Sequence, residues 1–423
     1  MKKRIISSLI TAVLLMGLVG CGGNSDSANS TGNNDAAQDS GEEVTLNFLT
    51  WRGDDSAAYD QVVANFNEEN PNIKVNFEYV VDAYEQVLTT RLLSNDVDLF
   101  ALDGHLDMYV DGGNLLELTG QSFLDNYQEG ALEPCTFDGK VYGACQMFCM
   151  VNTFYNVDML EEMGYTGEPK TWDEFIEICD KFMEKGIHPI ACGNAANLST
   201  QLGYQLLVSM IPDHSSDLFN EIVAGEAKMT DEPMATVSKL VKQVSDADYY
   251  CEGSTGLDKF GACEVFMRGE APFLVEGSWR AITLAEDETL NWDVFSISAP
   301  GGAEDVYLFR PAQIHVINAN TPHKDEALKY YEFMSRPESM EIFSSTTVQV
   351  PVGNDVTVDH PALNKVVDYM NSHKAGGDPQ VKLENAEIGS LMNEYFGSIT
   401  LGTPIEDAVA TIEQGFENMK AQQ

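Results

Sequence analysis

The sequence predicts an α/β protein built in two lobes, and three observations carry that prediction. Past residue 43 the chain alternates strand and helix patterns five times in succession. The stretch from Val44 to Gln423 is longer than one hydrophobic core ordinarily supports, since chains divide beyond about 250–300 residues. A second well-bounded unit, a strongly amphipathic helix followed by an apolar strand, lies between residues 168 and 193.

Each element follows from its pattern. "VTLNFLT" puts Val44, Leu46 and Phe48 on one side, the period of a strand. "DDSAAYDQVVANFNEEN" carries Tyr59, Val62, Val63 and Phe66 at helical spacing, and Asn70-Pro71 stops that helix. "IKVNFEYVV" alternates again. Asp82 is the expected cap of the next helix, whose buried face is Val87, Leu88 and Leu92. "VDLFALDG" is a third strand. Strand, helix, strand, helix, strand implies a mostly parallel sheet with helices packed on it. Ligands of such sheets bind beyond the carboxyl ends of the strands, which directs attention to Trp51-Arg52-Gly53-Asp54 and Asp103-Gly104-His105. In "EPKTWDEFIEICDKFMEKG", Thr171 and Glu174 form a capping box, Phe175, Ile178, Cys179, Phe182 and Met183 form the buried stripe, and Gly186 ends the helix before the strand "IHPIACG". "RAITLAED" is expected to be a helix capped by Ser278, with its free amides toward a ligand. "DEALKYYEFMSRPESMEIF" gives a late helix pair.

The front of the chain is an address. Lys2, Lys3 and Arg4 precede an apolar run to Gly20, too short for the roughly 20 residues of a membrane span. Leu18-Val19-Gly20-Cys21 resembles the bacterial lipobox, which implies a signal peptide over 1–20, cleavage before Cys21 and lipid on that cysteine. Residues 22–43 lack aromatic and branched apolar side chains apart from one Thr, and form a flexible tether. The expected location is extracytoplasmic, lipid-anchored to the outer face of the cell membrane.

The chain holds 67 acidic and 24 basic residues, a net charge of −43. Removal of Lys2, Lys3 and Arg4 brings it near −46, a charge that repels nucleic acid and anionic headgroups. Seven cysteines remain beside Cys21, and several sit inside apolar patterns, so most are expected to be buried thiols. Cys145 and Cys149 lack a second ligand pair for zinc, and no cofactor is expected. Nucleophile elbow, P-loop, HExxH and EF-hand spacings are missing from the sequence, which argues against an enzyme.

Several segments in order carry a family likeness: "NFNEENPNIKVNF", "VDLFALDGHLDMYVDGGNLLELT", "GKVYGACQMFCMVNTFYNVDMLEEMG", "PKTWDEF", "FMRGEAPFLVEGSW", and "DEALKYYEFMSRPESMEIF" followed by "VQVPVG". With these the chain resembles the extracellular solute-binding proteins of carbohydrate ABC transporters, in the cluster that includes maltose-binding protein. The resemblance implies a periplasmic-binding-protein-like fold, two α/β lobes joined by about three hinge crossings around a ligand cleft. It places the lobes at 44–152 plus about 309–349, and 153–308 plus about 350–423. It implies capture of a sugar or oligosaccharide by lobe closure, delivery to permease subunits, and a monomer. The same fold binding a peptide, polyamine or glycerol phosphate, or serving as a sugar-sensing subunit, is the alternative. Two departures stand out: two cysteines in "GACQMFCMVN", where the family often has proline, and Phe309-Arg310 where a small residue is common.

A sugar offers apolar ring faces and many hydroxyls, so aromatic and planar polar side chains at strand ends are the candidates. These are Trp51, Arg52, Asp54, Asp103, Asn152, Tyr155, Gly277, Ser278, Trp279, Phe309 and Arg310, with Trp279 foremost. His105 and Trp172 are expected to be structural. Arg310 can bind a carboxylate or phosphate bidentately, so an acidic sugar belongs among the expected ligands.

Overall fold

The protein is described from a computed structural model, over residues 43–81, 83–104, 106–196, 198–215, 217–380, 383 and 386–421. The expected signal peptide, the lipidated Cys21, the tether up to residue 42, the Asp82 cap and His105 lie outside the described residues.

The first strands form where alternation was strongest: β1 (Val44–Thr50), β2 (Ile73–Tyr79) and β3 (Leu99–Leu102). β1 pairs in parallel with both others, because the helices Ser56–Glu69 and Tyr84–Ser94 return the chain to the same end each time. Tyr59, Val62 and Phe66 of the first helix are buried against the sheet, and Asn70 ends it before Pro71. A small hairpin, β4 (Thr136–Phe137) and β5 (Lys140–Val141), leads into the long strand β6 (Gly143–Asn156). Beyond it come β7 (Ile190–Ala191), β8 (Phe273–Gly277), β9 (Trp292–Phe295), the long β10 (Val306–Ile317) and β11 (Lys374–Gly377). All but the hairpin join one sheet in the order β2-β1-β3-β10-β6-β8-β7, with β11 on β10 and β9 on β6.

The two long strands tie the lobes together. β10 pairs with β3 through Ile314–Ile317 and with β11 through Val306–Phe309, so its two ends serve different lobes. β6 behaves alike: Gly143 to Cys149 faces the β3 side, and Val151 to Asn156 pairs with β8 and β9. A third passage runs beside them after the helix Pro337–Thr347, where Val350 bridges to Phe148. Two of these three passages hold a non-glycine residue in the left-handed region, Gln313 (φ 56) in β10 and Val348 (φ 52) at the helix end. Such a conformation costs about 1–2 kcal/mol, and more for a branched valine, so packing must impose it.

The buried side chains divide accordingly. Two clusters draw on residues 46–149 and 312–356, and two others on 150–308 and 348–419. The helix Trp172–Glu184 packs Phe175, Ile178, Cys179 and Phe182 inward, while Met183 is only half-buried. Thr171 caps it by accepting from the Glu174 N–H at 3.2 Å, and Glu174 reaches back to the Lys170 N–H at 2.7 Å, one residue earlier than a capping box requires. Trp172 is structural, buried and donating to Gln243 at 3.1 Å. Cysteines 135, 145, 149, 179, 192, 251 and 263 are all buried and unpaired by disulfides.

One expectation needs correction. "RAITLAED" forms only the short helix Ala281–Ala285, and Ser278 makes no side-chain cap. Its hydroxyl instead accepts from the Met150 N–H of β6 at 3.0 Å, locking the end of β8 to the long strand. A helix this short offers no useful dipole to a ligand.

Candidate functional site

Strand directions locate the site. β3 ends at Leu102, which lies level with Cys145 of β6 through their shared partner Ile314. β8 runs the opposite way and ends at Gly277, opposite Val151. β11 ends at Gly377 beside Phe309, whose partner on β6 is Met150. The carboxyl ends of strands from both lobes therefore point at one level of the sheet, near Cys149. This is the crevice that open α/β sheets offer to ligands, formed here from two sides.

The residues that follow those ends meet there. The buried Cys149 thiol is pushed up to about 12, first by burial; Arg52, Arg310 and Ser278 pull against that, and Asp103 adds to it. Cys149 also contacts Gln349 of the third passage at 3.9 Å. Three expected site residues are tied to this stretch by geometry: Arg310 stands in register with Cys149, Ser278 binds the next N–H, that of Met150, and Trp279 lies 5.9 Å from the Arg310 guanidinium.

Trp279 is held in place. Its Nε1 donates to Glu276 Oε2 at 2.7 Å. Its ring folds over Gly277 so closely that a Cβ there would come within 2.2 Å of it, so Gly277 is needed for close approach. The half-buried indole packs against core clusters of both lobes and lies 5.9 Å from the Arg310 guanidinium. Glu276 itself is wholly buried. It also accepts from Arg280 Nε at 3.3 Å and from the Gly277 N–H at 3.2 Å, and burial raises its carboxyl above the usual range against the pull of Arg280.

Arg310 differs from expectation. Its Nε is bound by Asp378 and its Nη2 donates to Gln380 at 3.0 Å. Asp378 is fully buried. The guanidinium, expected from the sequence to be open to an acidic group on a ligand, is already matched by a carboxylate of the chain itself. Gln380 continues to Asn393 at 3.3 Å, and Asn393 accepts from Tyr204 at 2.8 Å, rooting the arrangement in the second lobe.

Arg52 forms a bidentate pair with the buried Asp55, at 2.5 and 2.9 Å, within its own turn. Trp51 is half-buried and meets Tyr84 edge-on at 5.2 Å, while Tyr84 is fixed by bonds to the Leu49 and Ala101 carbonyls. Asp54 is exposed beside them. Phe309 is half-buried, 5.1 Å from Phe148 and 6.4 Å from Tyr307. Asn152 is wholly buried opposite Glu276, and its amide has no partner among the described residues. Tyr155 lies apart, at the far end of β6 in the second lobe's core, with its hydroxyl 3.5 Å from Glu168.

A cleft of about 920 Å³ has Asp103 and Tyr109 on one side, Gln380 and Asn393 on the other, and Arg310 between; of the expected residues it takes in Asp103 and Arg310, while Trp279 lies behind it, reached through Arg310. A smaller recess of about 550 Å³ beside Thr171, Phe295 and His373 holds none of the expected residues. Sequence reasoning missed Glu276, Asp378, Gln380 and Asn393. The charge in "FLVEGSW", at the end of an otherwise apolar strand, was the one available signal, since a buried acid demands a partner.

Comparison with known proteins bears on the family and the fold. A family model described as bacterial extracellular solute-binding protein matches residues 51–341. The multiple sugar-binding protein of Streptococcus mutans serotype c is 23% identical over 323 residues, covering 72% of this chain and 74% of that protein. An uncharacterized lipoprotein of Streptomyces antibioticus is 27% identical over 392 residues, covering 86% of this chain and 79% of its own length. A solved chitin oligosaccharide binding protein shares the fold, with a TM-score of 0.80 at 20% identity over 90% of this chain and 100% of that one. With well over half of its length matched by the family model, the chain belongs to the bacterial extracellular solute-binding protein family.

Proposed function

We propose that this protein is the lipid-anchored binding subunit of an ABC transporter, a monomer that captures a sugar or oligosaccharide between its lobes and presents it to the permease. The observation that carries the reading is Trp279: a flat apolar face pinned over Gly277, beside the planar donors of Arg310, where strand ends of both lobes meet. That is the pairing a sugar ring and its hydroxyls require. The names of the Streptococcus mutans and chitin oligosaccharide proteins support the ligand class. No covalent step is needed, because closure about the hinge passages is itself the signal. The core clusters support lobes of 44–152 with about 309–349 and 153–308 with about 350–423, although Val352 and Val356 pack with the first lobe. The lipoprotein relative and the Leu18-Val19-Gly20-Cys21 sequence support the anchor. In cells, Cys21→Ala is expected to abolish palmitate labelling and release the chain from membranes; retained labelling would exclude Cys21 as the anchor.

The ligand is tested by thermal shift of the purified full-length protein against neutral, amino and acidic sugars, with peptides and polyamines alongside. At 100 times its dissociation constant a ligand stabilises by about 2.7 kcal/mol, a readable shift. A sugar is expected to give that shift, and Trp279→Ala is expected to remove it. A response to a peptide or polyamine alone would overturn the sugar assignment and keep the binding role.

A further inference from the structure

We propose that Arg310 and Asp378 form a charge filter that admits uncharged sugars to the cleft and turns away carboxylated or phosphorylated ones. The inference rests on the ligand being a sugar and adds which chemical kind of sugar. Arg310 is the cation among the described residues that line the cleft. Its charge is met by Asp378, whose carboxylate is wholly buried and fixed from the other side by the Gln380 N–H at 2.8 Å. That carboxylate cannot swing away to release the guanidinium, because Gln380 binds both partners. Among the described residues Nε and one Nη2 hydrogen are engaged, which leaves Nη1 and the second Nη2 hydrogen for hydroxyl oxygens. An arginine so matched donates hydrogen bonds without requiring an anion in return.

The walls act in the same direction. Among the described lining residues Glu85, Asp103, Asp107 and Glu133 are acidic and Arg310 is basic, so the walls carry net negative charge. A carboxylate or phosphate entering would give up its water and meet like charge, at a cost that a neutral hydroxyl does not incur. Replacing Asp378 by its uncharged isostere would leave Arg310 as an uncompensated, mostly buried cation, and an anionic ligand would then supply what is missing.

The experiment is calorimetric titration of the purified full-length protein. The neutral probes are raffinose, xylotriose and di-N-acetylchitobiose; the anionic probes are digalacturonate, glucuronosyl-xylobiose and glucose 6-phosphate. Wild type is expected to bind at least one neutral probe and no anion. In Asp378→Asn the ratio of anion to neutral affinity is expected to rise by about tenfold or more, and Asp378→Asn with Arg310→Gln is expected to lose the gain. Asp103→Asn, at an exposed position, should move the ratio the same way and serves if the buried variant does not fold. Neutral binding with anions bound equally well by wild type, or a flat ratio in the variants, overturns the filter and leaves the sugar assignment standing. Wild type that binds none of the probes, neutral or anionic, while responding to a peptide or polyamine overturns both.

Discussion

Glu276→Gln is expected to lower the unfolding free energy by about 3–5 kcal/mol, the range for stripping one partner from a buried ion pair. Glu276 is wholly buried and the Arg280 side chain is 5% exposed, so the arginine would be left charged, away from water and without a counter-ion. The Phe260 ring, 4.7 Å from the guanidinium carbon, offers a small fraction of what the carboxylate supplies. The measurement is the urea midpoint and slope for wild type and variant. Replacing both charges, as Glu276→Gln with Arg280→Met, is expected to recover most of the loss, because removing a whole buried pair is often nearly neutral. A single variant within about 1 kcal/mol of wild type would show that the pair is not buried as described. So would a double variant as unstable as the single one. Glu276 also holds the Trp279 Nε1, so the same substitution should weaken sugar binding as well as stability.

The second large effect is a loss of stability in acid that traces to His315. Burial lowers its pKa to about 3 from an ordinary value near 6.5. Geometry gives an independent reason. Tyr59 Oη accepts from Gln313 Nε2 at 2.5 Å and lies 2.9 Å from His315 Nε2, so in the neutral tautomer with its hydrogen on Nδ1 the ring nitrogen takes the tyrosine proton. Because the folded-state pKa lies below the unfolded one, the unfolded chain takes up the proton first. The stabilisation from neutral His315 is complete above about pH 6.5 and is lost as pH falls toward 3. Between pH 7 and 4 this amounts to about 3 kcal/mol. Glu276 works in the opposite sense, since its pKa is raised by burial, so the comparison must isolate the histidine. His315→Gln keeps an acceptor for Tyr59 without a titrating group. Its stability is expected to fall by about 3 kcal/mol less than that of wild type over the same pH range. Parallel pH profiles for the two proteins would exclude the assignment.

Much of the site's neighbourhood was legible because it follows from strand ends. Trp51, Arg52 and Asp103 stand out for following apolar strands and Trp279 for preceding an expected helix, and the structure places the first three just after β1 and β3 and Trp279 just after β8. Which of them meet was not legible. β6 is buried at all fourteen positions, on both faces, so its sequence carries no period of two to say which side faces the cleft. That is why Asn152 and Tyr155 looked alike in the sequence, while one lies opposite Glu276 and the other lies in the second lobe's core.

By itself, then, the sequence determined the first three strands and the two helices between them, the helix Trp172–Glu184 with its Thr171 cap, and the late helix pair, because periodicity and caps are local properties of the chain. Tertiary structure alone decided which charges are matched. Arg310 finds Asp378 68 residues away, and the Tyr59 hydroxyl finds His315 256 residues away. It also turned Ser278 from a helix cap into a tie between β8 and β6. Pattern records that a side chain is buried; only the assembled register of β6, β10 and β11 brings it to the partner that burial makes necessary.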